Sequence, residues 1–128
     1  MIKFESMESF DLKRFAHIGD AVYELFIREN VVFKVKSQNL MHKMTTSFVC
    51  ASFQAKLAEI IYENFLNDEE KEIFRRARNL NLTINKKNNP TIHRHATAFE
   101  VIIGYFYLHN KPRLVELFEV IKEYVEAK

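Results

Sequence analysis

The chain has only two glycines in 128 residues, and both fall inside long amphipathic patterns rather than between them. Gly19 lies in "HIGDAVYE" and Gly104 in "AFEVIIGYFY". A glycine in a helix interior costs roughly 0.5–1 kcal/mol relative to alanine. Keeping one there points to a neighbouring backbone that leaves no room for a Cβ. Each glycine also travels with an acid. Asp20 directly follows Gly19, and Glu100 stands one helical turn before Gly104, on the same face. Two helices crossing at the glycines would bring Asp20 and Glu100 together from distant parts of the chain. Glu24, one turn after Asp20, adds a third carboxylate on the same edge. The plainer alternative is that the acids are surface residues and the glycines only ease packing.

Helical periodicity governs the rest of the sequence. Leu12, Phe15, Val22 and Phe26 predict a first helix over about 11–33. Ser37 is a candidate cap for a short second helix reaching Thr45. A third helix follows to Phe65, with Phe48, Ala51, Ala55, Ala58, Ile61 and Phe65 on one face. Asn67 and Glu70 form a capping-box pattern that starts a fourth helix, ending near Asn79. The stretch 80–91, "LNLTINKKNNPT", reads as an exposed basic loop. A fifth helix is expected over 92–109. A sixth opens with Pro112 in its first turn and carries the stripe Leu114, Leu117, Phe118, Ile121 and Val125. The reading is an all-α bundle, one domain spanning 1–128.

Composition closes off several classes. Hydrophobic residues make up 48% and charged residues 28%, enough to bury a core. No run of about 18 apolar residues exists to span a membrane, and the N-terminal "MIKFESMESF" does not resemble a signal peptide. The single cysteine, Cys50, cannot form an internal disulfide and is expected to pack as a small hydrophobe in a reducing cytoplasm.

The net charge of +2 hides an asymmetry. From Ile73 to Phe99 there is no Asp or Glu, while Arg75, Arg76, Arg78, Lys86, Lys87 and Arg94 all fall there; the remainder of the chain is net acidic. A concentrated basic stretch suits a polyanion, and a nucleic-acid backbone is the commonest one. Some of these arginines could instead pair with Glu69, Glu70 or Glu72 on their own helix. Carboxylates gathered on packed helices repel one another, and Mg²⁺ relieves that while keeping waters and substrate phosphates in its shell. Beside a basic surface, such a pair suits phosphodiester cleavage. His17, His93 and His95 lie near this region; His93 and His95, two apart, point away from each other on a helix and do not share a metal.

The segments "HIGDAVYELFIRE" and "TAFEVIIGYFYL" resemble the two signature segments of the ribonuclease III catalytic domain. The resemblance is closer to Mini-ribonuclease III, the branch without a double-stranded-RNA-binding domain. "RRARN", Arg75 to Asn79, is similar to a basic segment of that branch, with Ala77 where a glycine is usual. "HRHATAFE" resembles its tyrosine–arginine–tyrosine run. The resemblance covers nearly the whole chain. It implies an all-α homodimeric endoribonuclease, dependent on Mg²⁺, that cuts double-stranded RNA and matures the ends of the 23S (large-subunit) ribosomal RNA precursor, with a ribosomal protein on the precursor as a candidate partner. It places Asp20 and Glu100 as the metal-binding catalytic pair, with Glu24 as a further candidate.

Two positions depart from full-length ribonuclease III. That enzyme has a glutamate where this chain has Ala16 and an aspartate where it has Thr97. A metal held by Asp20, Glu100 and more water is then expected to bind more weakly. The same losses support the alternative of a non-catalytic helical RNA-binding module. The apolar residues Phe15, Ile18, Val22, Leu25 and Phe26 wrap both sides of the first helix, which predicts a dimer seam.

Overall fold

The computed structural model describes residues 6–80 and 89–126 and is helical throughout its regular elements. In chain order these are α1 (Ser9–Val31), α2 (Gln38–Val49), α3 (Ala51–Asn64), α4 (Asp68–Arg78), α5 (Pro90–His109) and α6 (Lys111–Glu126). The caps are those that short polar side chains favour. The Ser37 hydroxyl accepts from the Leu40 amide at the start of α2. Asn67 and Glu70 close the expected capping box at α4, each bond 2.9 Å.

Three helix boundaries differ from those the periodicity predicts. The second helix continues past Thr45 to Val49, so Phe48 belongs to α2 and not to the face of the third helix. The fifth starts two residues early, at Pro90: the Asn89 side chain accepts from the Thr91 and Ile92 amides, and proline at the first position loses no bond. The first helix stops at Val31, two residues short of Phe33.

α5 is the central element. It packs against α1, α3, α4 and α6, and Ala98, Phe99, Val101, Ile102, Ile103 and Phe106 on it are all buried. A helix apolar on most of its circumference has to be surrounded. α1 runs antiparallel to it, as aromatic pairs at either end show: Tyr23 meets Phe99 edge-on at 4.9 Å, and Phe15 meets Tyr105 at 5.6 Å. The Tyr23 hydroxyl is not stranded in this core; it donates to the Phe48 carbonyl at 2.7 Å and ties α1 to α2.

α6 is held by Arg113. Its guanidinium donates twice to the Glu70 carboxylate, at 2.9 and 3.0 Å, and to the Phe65 carbonyl at 2.8 Å, while lying over the Phe65 ring. One side chain therefore pins the first turn of α6 to the α3–α4 turn. Of the apolar residues that wrap α1, Phe15 and Phe26 face the core, Phe26 stacked on Phe118 of α6 at 4.0 Å. Leu25, by contrast, is 60% exposed.

Candidate active site

The two glycines do sit where α1 and α5 cross. A Cβ built on Gly19 would overlap the Glu100 carbonyl oxygen and lie 2.9 Å from the Gly104 nitrogen. A Cβ built on Gly104 would overlap the Phe15 carbonyl oxygen and lie 2.9 Å from the Ile18 side chain. The contact is reciprocal: each glycine faces the carbonyl four residues before the other. Only hydrogen at both positions lets the backbones approach this far.

That approach sets the acids. Asp20 follows Gly19, and the carbonyl Gly19 touches is that of Glu100, so the two side chains emerge from the same crossing. Their carboxyls stand within hydrogen-bonding reach. Asp20 is exposed and Glu100 half-buried. Burial is the largest influence on Glu100, followed by the hydrogen bond to Asp20 and the repulsion of its charge; together they push the Glu100 pKa up to about 9. Two carboxyls forced together, with Glu100 favouring its protonated form, make a donor set that fits a hard divalent cation, which Asp20 and Glu100 would hold with both carboxyls ionised.

Other candidate residues are less closely drawn in. Glu24 pairs with Arg28 on its own helix at 3.1 Å. Among the described residues no cluster of three or more Asp, Glu, His or Cys side chains is arranged to hold a metal. Ala16 is half-buried and Thr97 buried, so no carboxylate occupies either place beside the pair. Within the basic stretch, Arg75 is engaged by Glu72 at 2.8 Å and by the Tyr62 hydroxyl at 2.7 Å, as the intrahelical alternative foresaw. Arg76 donates to the Met7 carbonyl at 2.7 Å and anchors the segment before α1. Arg94 is exposed near the start of α5, and Arg78 is half-buried at the end of α4. Lys86 and Lys87 lie outside the described residues.

The fold has counterparts. The crystal structure of a Fusobacterium nucleatum protein superposes with a TM-score of 0.75 at 28% identity, covering 85% of this chain and 88% of that one. A profile of the ribonuclease III domain matches residues 13–111, which takes in both glycines and both acids. The chain belongs to the ribonuclease III family. Within the ribonuclease III family its relatives include the Mini-ribonuclease 3 of Clostridium tetani, 42% identical over 110 residues, covering 83% of this chain and 72% of that protein. The Mini-ribonuclease 3 of Gloeobacter violaceus is 36% identical over 118 residues, covering 92% and 87%. A ribonuclease III domain makes this an endoribonuclease. Among the described residues no helix is long and apolar enough to cross a membrane.

Proposed function

We propose that this endoribonuclease is Mg²⁺-dependent, cuts double-stranded RNA through Asp20 and Glu100, and acts as a cytoplasmic homodimer on the 23S ribosomal RNA precursor. The observation that carries this is the pairing of those two carboxyls at a helix crossing that tolerates no side chain. When bound, Mg²⁺ lowers the pKa of water and neutralises charge that builds on the phosphodiester during cleavage. The chain's own residues do the rest. Gly19 and Gly104 fix the separation of the acids. Asp20 on the exposed side and half-buried Glu100 would hold the cation between them, Glu100 in its ionised form. Arg94, Arg78 and the lysines at 86 and 87 supply phosphate contacts, while Arg75 and Arg76 serve mainly within the fold.

The homodimer rests on an apolar groove between α1 and α6, lined by Val22, Leu25, Val115 and Phe118 among others. Leu25 and Val115 are 60% and 59% exposed there, apolar side chains that a second copy of the chain could cover. With two carboxylates rather than four, the site is expected to hold Mg²⁺ loosely.

The test is incubation of the purified protein with a base-paired 23S precursor stem, in Mg²⁺ or EDTA, with the new ends mapped. Discrete cuts near the mature ends, in Mg²⁺ only, are expected. Uniform degradation would refute the precursor assignment. Equal rates on naked precursor and on precursor carrying its ribosomal proteins would remove the protein partner. Binding without cutting would favour the RNA-binding module, for which Ala16 and Thr97 are the specific support.

A further inference from the structure

A second acid-free stretch runs from Asn30 to Ala58 and carries Lys34, Lys36, Lys43 and Lys56. It begins where α1 ends. Val32, Phe33 and Lys34 form the turn out of α1, and Phe33 is 95% exposed, the most exposed large hydrophobic side chain of the described residues. Lys34, Lys36 and Lys43 are exposed too, and none of the three is in an ion pair among the described residues. Between this turn and α2 lies a groove of about 510 Å³. Val31, Val32 and Met41 line it with apolar surface, and Arg28, Gln38, His42 and Thr45 bring hydrogen-bonding groups to it.

The groove is not remote from the acids. Asp20, Glu24 and Arg28 follow one another at four-residue intervals along α1, and Arg28 lines the groove. Eight residues of helix separate Asp20 from Arg28, about 12 Å. That is the span of a few nucleotides of a bound strand.

An intact A-form duplex offers phosphates and 2′-hydroxyls at its surface and keeps its bases stacked inside. Lysines alone would answer that. A bare aromatic ring in a turn that carries unpaired lysines, one residue along from a groove lined by apolar, amide, imidazole and guanidinium side chains, answers a nucleotide whose base is free to stack. The absence of any carboxylate from Asn30 to Ala58 matches a polyanion and not a basic or neutral partner.

We propose that the groove between the end of α1 and α2, together with Phe33, Lys34 and Lys36 of the segment that follows Val32, receives an unpaired nucleotide flanking the substrate duplex. This rests on the reading of the chain as a duplex-cutting enzyme. It adds a preference: the favoured substrate is a duplex that continues into a single strand.

The experiment measures affinity in EDTA, where no cleavage occurs, for a blunt RNA duplex and for the same duplex with a four-nucleotide single-stranded extension. The wild type is expected to bind the extended RNA about tenfold more tightly, the gain of roughly one base stack. Phe33→Ala is expected to bring that ratio close to one, and Phe33→Trp to keep it. Replacing Lys34 and Lys36 together with serine is expected to flatten the salt dependence for the extended RNA. An unchanged melting temperature confirms that each variant is folded, as expected for side chains this exposed. Equal affinity of the wild type for both RNAs would overturn the proposal. So would a ratio untouched by Phe33→Ala, which would leave the surface to a protein partner. Cleavage of the same duplexes in Mg²⁺ is scored separately. A preference for the extension without any cutting would keep the groove and refute the enzyme reading of the pair.

Discussion

Replacing Gly19 with alanine sets two effects of opposite sign against each other. By helix propensity alone, alanine in mid-helix should stabilise α1 by up to about 1 kcal/mol. The crossing predicts the reverse. The new Cβ would overlap the Glu100 carbonyl oxygen, and it would stand 2.8 Å from that carbonyl's carbon and 2.9 Å from the Gly104 nitrogen, where ordinary contact begins at 3.4 Å. These neighbours are backbone of a buried helix and cannot rotate away. α1 and α5 must therefore part by roughly an ångström, a gap that forfeits a quarter to a half of each dispersion contact across it. Tyr23 on Phe99 and Phe15 on Tyr105 lie on that seam. Overpacking a rigid core costs about 1–3 kcal/mol, and this case belongs at the upper end. After the propensity gain the net loss is about 2 kcal/mol, or roughly 6–10 °C in melting temperature for a domain of this size. Thermal unfolding followed by circular dichroism reads it directly. A Gly19→Ala protein as stable as the wild type, or more so, would refute the close crossing and with it the reason the two acids meet.

Further predictions follow from the same contacts. Glu100 has a folded pKa of about 9, raised above its ordinary 4.5, so its stabilising contribution is complete below the unfolded value and is lost as pH rises through the folded one. In the absence of divalent cations, Glu100→Gln should therefore be more stable than the wild type, with a gap that opens between about pH 4.5 and 9 and reaches roughly 1–3 kcal/mol once solvent screening is allowed for; urea melts across pH check this, and a gap that shrinks with rising pH would contradict it. Arg113→Met leaves the Glu70 carboxylate, 9% exposed, without its ion-pair partner, and should cost about 2–4 kcal/mol in urea unfolding. Arg94→Ser should weaken duplex binding evenly across sequences and lower the salt slope by about one, measured by anisotropy at several salt concentrations; no change would remove Arg94 from the RNA surface.

Much of this architecture was open to reading from residue order because its signals are local. Asn67 and Glu70 close a capping box within one turn, and the crossing of α1 and α5 followed from the oddity of glycine beside acid in two helices. Asparagine and proline at 89 and 90 were a helix start misread as loop, since both residues also favour turns. The two-sided apolarity of α1 does not declare which neighbour each residue will find; Phe26 meets Phe118, nearly a hundred positions away. The Arg113 clamp was invisible for the same reason: Glu70 is 43 residues distant and already explained as a cap. Arg75 and Arg76 counted as charge toward a ligand, yet each had a partner within the fold, Glu72 and the Met7 carbonyl. Local charge shows that a cation is present and leaves open which anion or carbonyl will hold it.

The proposed activity needs two carboxylates acting together, and cleavage by variants that lack one of them tests this most directly. A labelled RNA duplex is incubated with the wild type, Asp20→Asn and Glu100→Gln, each in Mg²⁺ and in EDTA, with folding checked by circular dichroism. Cutting by the wild type in Mg²⁺ alone is expected, with a loss of at least about a hundredfold in each folded variant. Cutting at the wild-type rate by either variant would contradict it.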